Sequence, residues 1–346
     1  MRRWVAAAIV VLLLAGCRAN PPDPPAPTPT PPASVGGACG PLTMAATNRP
    51  KRALVSELSR YRNDVHACSG WWVPGLPRGF VPQGLALDGR TAWISGWRHD
   101  RNRVPSLRKG FRLCGLLQMD LDTGRVLRET DLIAGYVGDR LNYCRHGGGL
   151  LKDEHGLWLT ETQRLWLIDP ERVGRRDQVV RGWGLRRIRG SASVAHDGRI
   201  GFAEWAPRSS GRLEWFSVAD LLDPEVVLLV PHTAAASAGQ VSAVAAERVP
   251  SRTQGLAWGT VGDQTGLWIA RSSSRCGVLQ TPSGQQIAWL GGAEDLELLG
   301  GRIYVISESG SKPYQRKPGR PVTASLTAFD AVGLVGGAGP VCSRGW

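Results

Sequence analysis

The chain predicts an all-β fold, a β-propeller of four-stranded antiparallel blades, from three observations. A short Gly- or small-residue segment recurs five times, and each copy leads through an Asp or Gly turn into a strand rich in aromatic and β-branched residues. A third strand and a more polar fourth segment follow in most copies. The unit spans about 40 residues, the length of a propeller blade.

The five leading segments are Gln83-Gly84-Leu85-Ala86-Leu87, His146-Gly147-Gly148-Gly149-Leu150-Leu151, Gly190-Ser191-Ala192-Ser193-Val194, Gln254-Gly255-Leu256-Ala257-Trp258 and Ala293-Glu294-Asp295-Leu296-Glu297-Leu298. Second strands are expected at 91–97, 156–162, 199–205, 266–272 and 302–308, and third strands at 115–122, 164–170, 212–218, 276–282 and 324–330. Fourth strands are expected near 126–132, 179–185, 226–230 and 286–290. The fifth unit has no convincing fourth strand of its own, and the segment 71–76 is expected to supply it and close the ring. Five blades are favoured; a sixth would draw on 233–250 or the N-terminal segment.

The N-terminus has a different character. Arg2 and Arg3 precede an apolar run from Val5 to Leu14, then Ala15-Gly16-Cys17. A basic n-region, a short h-region and a small-residue cleavage site describe a secretory signal. The run is shorter than the roughly 20 residues that span a bilayer. Leu14-Ala15-Gly16-Cys17 resembles the bacterial lipobox, which implies lipidation of Cys17 and anchorage at the extracytoplasmic face of the cell membrane. Eight prolines between Pro21 and Pro32 predict an extended polyproline stalk. The expected organisation is signal and lipobox 1–17, stalk 18–36, an extension 37–78 with a short helix near 51–62 and the ring-closing strand, and the propeller 79–346. A basic insertion, 310–320, is expected as a solvated loop in the last blade.

With Cys17 set aside, six cysteines remain, an even number suited to disulfides in an oxidising compartment. Cys114 and Cys144 flank one excursion and are the favoured pair; the pairing of Cys39, Cys68, Cys276 and Cys342 stays open. No Cys-x-x-Cys or His-x₃₋₅-His spacing supports a structural zinc site. The formal charge of +13 fits contact with anionic lipid or an envelope polymer, or simply a solvated basic surface. No recognition helix or RNA-binding signature accompanies it, so nucleic acid is not an expected partner.

Propeller geometry brings the start of each inner strand and the end of each second strand to one mouth of the central channel. The starts place Gln83, His146, Gln254, Glu294 and Asp295 there; the ends place Trp97, Arg98, Glu161, Glu204, Trp205, Arg271 and Glu308. Convergent charged groups in a concave site are the default binding site. Glu161, Glu204 and Glu308 form a candidate set for Ca²⁺ or another divalent cation, which takes oxygen ligands; no cofactor is otherwise indicated. His146 beside carboxylates suits acid–base work, and Trp97 and Trp205 suit stacking on a sugar. The bland alternatives are ion pairs of the three glutamates with Arg98 and Arg271, a turn-bonding role for His146, and packing for the tryptophans.

Pro82-Gln83-Gly84-Leu85-Ala86, His146-Gly147-Gly148-Gly149, Thr253-Gln254-Gly255-Leu256-Ala257 and Ser307-Glu308-Ser309-Gly310 resemble motifs of bacterial secreted propeller proteins. More distantly they are similar to the gluconolactonase and strictosidine-synthase-like superfamily. That resemblance covers roughly 79–330 and implies a divalent metal on the channel axis, held by Glu, Asn and Asp. The matching positions here carry Glu, Gln and His, with no inner-strand Asn, so the fold carries over further than the reaction. The sequence therefore favours a binding protein for a small ligand, an envelope polymer or a protein partner. A metal-dependent hydrolase using Glu161, Glu204, Glu308 and His146, and a structural envelope role, are the alternatives.

Overall fold

The computed structural model describes residues 39, 42–44, 58–99, 112–273, 275–315 and 322–342. The signal, lipobox and stalk expectations lie outside these residues, as do the start of the expected helix near 51–62 and most of the basic insertion. Within them, Leu58–Tyr61 is irregular, and Lys312–Gln315 forms one short helical turn.

Five sheets carry the fold. The first consists of Phe80–Asp88, Thr91–Arg98, Cys114–Asp120 and Val126–Thr130, paired in that order. Leu150–Asp153, Gly156–Glu161, Arg164–Ile168 and Val179–Leu185 form the second, and Ala192–His196, Arg199–Ala203, Gly211–Ser217 and Ala245–Val249 the third. The fourth is Thr253–Val261, Gln264–Ser273, Cys276–Gln280 and Gln286–Trp289. The fifth runs through Ala293–Leu299, Arg302–Ser307 and Leu326–Asp330 and is completed from the N-terminal side by Ala67–Trp71. The innermost strands neighbour one another in a closed cycle, first to second and on to the fifth, which returns to the first. That arrangement makes the molecule a β-propeller.

The core is divided in the same way, because each strand alternates its side chains between two neighbouring sheets. Leu157, Leu159 and Trp166 pack towards Trp93 and Leu116 of the first sheet. On the opposite face of the second sheet, Trp158 and Trp183 pack against Ile200, Phe202 and Phe216 of the third. Equivalent clusters fill the third–fourth, fourth–fifth and fifth–first interfaces. No sheet has a core of its own, so the ring must close for any of them to be fully buried.

Three expectations are corrected. The blades are not uniformly four-stranded: the fifth sheet gains Thr43–Met44, and the second gains Leu228–Val230 and Gln240–Ser242, all paired in parallel. The third sheet takes Ala245–Val249 as its outer strand rather than 226–230. Leu228–Val230 pairs instead with Val179–Leu185 of the second sheet, and the Arg181 side chain reinforces that attachment by donating to the carbonyls of Leu222 at 3.0 Å and Val226 at 2.6 Å. The ring-closing strand is Ala67–Trp71, antiparallel to Leu326–Asp330, one element earlier than 71–76. The stretch 233–250 supplies outer strands to these existing sheets, and no sixth large sheet occurs among the described residues.

Cys114–Cys144 forms as expected, with Cα atoms 5.3 Å apart. Cys39–Cys68 and Cys276–Cys342 are the other two pairs. The first is beside the ring-closing strand, and the second ties the C-terminal tail to the fourth sheet. Asn63 reinforces that seam: its Nδ2 donates to the carbonyls of Ala288 and Ala338, and its Oδ1 accepts from the Ala338 N–H. Asn63 has a left-handed φ of 65°, a conformation that Asn tolerates better than most residues. Three disulfides are a feature of oxidising compartments. Among the described residues no helix is long and apolar enough to cross a membrane.

Candidate functional site

Three inner strands enter the channel through β-bulges, and the extra residue of each bulge is Gln83, Gln254 or Glu294. A bulge breaks the two-residue alternation and re-aims a side chain, here into the channel mouth. The residue that follows each bulge reaches the ring's most crowded point. A Cβ at Gly84 would lie 2.1 Å from the Gly148 carbonyl, and one at Gly255 would lie 2.5 Å from the Asp295 Cα. The repeated Gln-Gly therefore couples a mouth-directed amide to a backbone that only glycine can bring so close.

The fifth sheet has Asp295 where the first and fourth have glycine. Its Oδ2 accepts from the Leu85 N–H at 3.0 Å and the Leu150 N–H at 3.4 Å, and its Oδ1 from the Leu296 N–H at 3.0 Å. One carboxyl thus joins the inner strands of three sheets beneath the mouth. Burial pushes its pKa well up, partly offset by those N–H donors.

Above it opens a cavity of about 900 Å³. Its floor holds Glu294 and Glu308, both buried. Gln254 Nε2 donates to Glu294 and Gln83 Nε2 to Glu308, each at 3.3 Å. The Tyr314 hydroxyl also donates to Glu308, and burial beside that carboxyl raises the phenol's pKa. Glu294 is pushed well above the ordinary carboxyl range, first by burial and then by Glu308 and Asp295. Protonation of Glu294 is thereby favoured relative to an exposed carboxyl.

The walls are basic. Arg112, Arg145, Arg189 and Arg252 line the cavity. Arg112 lies over the Trp97 ring, 4.2 Å from its centroid, and Trp97 stacks on His146 at 6.2 Å. Burial and the Arg112 charge hold the His146 imidazole down at about 4, so it is neutral at neutral pH. His146 and Arg252 both have left-handed φ, 78° and 64°, a costly conformation for such residues that concentrates at functional sites.

Of the rim residues expected from sequence, Gln83, His146, Glu161, Trp205, Gln254, Glu294 and Glu308 line the cavity. Trp97, Arg98, Glu204, Arg271 and Asp295 do not. Trp205 and Ser272 line the mouth, whereas the adjacent Glu204 and Arg271 do not. Arg271 donates instead to the Ser251 carbonyl at 3.0 Å. Arg98 is buried over Phe80 and ion-paired with Asp131, while Trp97 is packed behind His146 and Asp295 lies below the floor. The expected pairing of the glutamates with Arg98 and Arg271 is replaced, for Glu161, by an ion pair with Arg164 at 2.7 Å.

The cation set Glu161, Glu204 and Glu308 is not assembled. Among the described residues no three His, Cys, Asp or Glu side chains gather closely enough to hold an ion. Glu161 is bonded to Arg164, Glu204 is outside the cavity, and Glu308 is bonded to Gln83 and Tyr314. The donor set does not fit the axial metal that the gluconolactonase resemblance implies.

Sequence reading missed the arginines, although a signal was present. Arg145 and Arg189 stand immediately before the repeat segments that begin at His146 and Gly190, and Arg252 two residues before the one that begins at Gln254. A basic residue just ahead of three successive segments marks the same end of the channel.

No protein-family model matches the chain, and no curated protein matches it. Similar solved structures include a nidogen/laminin complex, at TM-score 0.34 and 14% identity over 67% of this chain and 73% of that one. The Cps50 (Swd1) β-propeller domain of Myceliophteria thermophila aligns at TM-score 0.36 and 9% identity, over 72% and 83%. The computationally designed Ika8 protein aligns at 0.31 and 9%, over 73% and 96%. These likenesses are remote, and the closed cycle of sheets is what defines the fold.

Proposed function

We propose that this chain is a lipid-anchored, extracytoplasmic five-bladed propeller that binds an anionic ligand at its channel mouth. The observation that carries this reading is the layering of charge in one cavity. Guanidinium groups of Arg112, Arg145, Arg189 and Arg252 line its walls, whereas the carboxyls within reach are buried and bonded to Arg164, Gln83, Gln254 and Tyr314. Arginine forks pair well with carboxylate and phosphate groups. The five sheets support the blade count, and the lipobox at Cys17 with three disulfides supports export and anchorage.

The reading is one of binding rather than hydrolysis, because the carboxyl groups engage protein partners and His146 is held neutral and packed on Trp97. Isothermal titration of the purified full chain in detergent tests it, with hexaglutamate and trigalacturonate as polyanion probes. Binding of at least one, weakened about tenfold or more by Arg145→Ala/Arg189→Ala and by raised salt, is expected. Failure of both probes to bind overturns the proposal. Palmitate labelling that is lost in Cys17→Ser tests the anchor separately.

A further inference from the structure

The composition of the cavity wall narrows the ligand class. Among the described residues that line it there is no aliphatic side chain: no Leu, Ile, Val, Met, Ala or Pro. Pockets for drug-like molecules and for peptide side chains are mostly apolar, with a few placed polar groups. Here almost every lining residue carries a polar or charged group. The floor offers the Gln83 and Gln254 amides and the Glu294 and Glu308 carboxyls, which can donate and accept within one small area. Serines and threonines, among them Ser191 and Ser272, continue that polar surface up the wall.

A second feature is Trp205. It is 41% exposed and lines the same cavity, although most of the other tryptophans on this fold are packed between sheets. An indole face left in contact with solvent, above a dense array of hydrogen-bonding groups and beside guanidinium groups, matches a ligand with three properties. Such a ligand carries acid groups for the arginines, many hydroxyls for the floor, and a flat C–H face for the indole.

We infer that the ligand is an acidic saccharide, seated with its acid groups on the arginine wall, its hydroxyls on the Gln83–Gln254–Glu294–Glu308 floor and a sugar ring against Trp205. This deepens the channel-mouth reading and rests on it. An acidic peptide shares the charge but lacks the run of hydroxyls and the flat C–H face that the floor and Trp205 would accommodate.

The test compares three probes by isothermal titration on the full chain: trigalacturonate, its neutral counterpart galactotriose, and hexaglutamate. Trigalacturonate is expected to bind at least about tenfold more tightly than either of the others. Trp205→Ala is expected to weaken trigalacturonate by about tenfold or more while leaving the melting temperature unchanged, because the ring is at the mouth and outside the inter-sheet core. Tryptophan emission should shift on trigalacturonate binding to the wild type and shift less in the variant. Hexaglutamate binding as tightly as trigalacturonate, or Trp205→Ala binding it undiminished, overturns the saccharide inference and leaves the anion-binding reading standing. Absence of binding by both polyanions overturns both.

Discussion

Acidification tests the placement of His146 more sharply than any substitution alone. Burial first, and the Arg112 charge second, hold this imidazole at about 4, against an ordinary 6.5. The folded chain therefore favours the neutral ring, and the unfolded chain takes up a proton more readily. The stability tied to His146 is fully present above 6.5 and is lost as pH falls towards 4. Linkage with those two values gives a loss of about 2.5 kcal/mol by a pH of about 4.5, an upper bound because the ring keeps some contact with water. Urea denaturation at a pH of about 8 and of about 4.5, in wild type and His146→Asn, measures it. Asn suits the comparison because it tolerates the left-handed φ of 78°. The buried carboxyls act with the opposite sign, but they are common to both proteins and largely cancel in the difference. Wild type should lose about 2 kcal/mol more than the variant on acidification. Equal losses, or a ring titration near 6.5 by NMR in the folded protein, would refute the packing described for His146.

Asp295→Ala removes the acceptor shared by the Leu85, Leu150 and Leu296 N–H groups and should cost about 3 kcal/mol or more in chemical denaturation; Asp295→Asn keeps one acceptor oxygen and should cost less. Burial raises the Glu297 pKa to about 8, so stability is present below the ordinary carboxyl range and is lost as pH rises through about 8. Glu297→Gln should melt at a higher temperature than wild type at a pH of about 9 and show a smaller advantage at about 5. Opening Cys276–Cys342 by a double Ser substitution releases a sequence separation of 66 residues. By the chain-entropy argument it should lower stability by about 4 kcal/mol, read as a lower guanidinium midpoint.

The propeller was legible because inner strands carry small residues where they crowd the axis. Gly84, Gly148, Gly149 and Gly255 all stand where an added Cβ would meet neighbouring backbone at 2.1–2.5 Å, and their recurrence marked the blades. Outer strands were less legible, because their partners are chosen by distant contacts. The 226–230 stretch reads as a strand and contains one, Leu228–Val230, but it pairs with the second sheet, where the Arg181 side chain also grips the segment before it. The site was half legible for a related reason. Of the adjacent candidates Glu204 and Trp205 only the second lines the mouth, and both lie beyond the end of Arg199–Ala203, where strand alternation no longer sets direction. Tyr314 was missed because it comes from the short turn after the fifth sheet's second strand, outside the repeat.

The site and the closure of the ring are physically coupled through the fifth sheet. That sheet contributes Glu294 to the floor and Asp295 beneath it, and the connection between its second and third strands carries Glu308 and Tyr314. It is also the sheet whose outer strand comes from the other end of the chain, beside the Cys39–Cys68 disulfide. If Ala67–Trp71 detaches, Leu326–Asp330 loses its partner, and Leu326 and Ile306 lose their cover from Trp71 and Trp72. Ring closure and the floor of the cavity thus depend on one sheet. A ligand that binds only the closed ring must in turn stabilise it, by about 2.7 kcal/mol at a hundredfold excess over its dissociation constant. Under the proposed reading, the seam formed by Asn63, the tail and the Cys39–Cys68 and Cys276–Cys342 disulfides therefore bears on ligand affinity, although none of its residues lines the cavity.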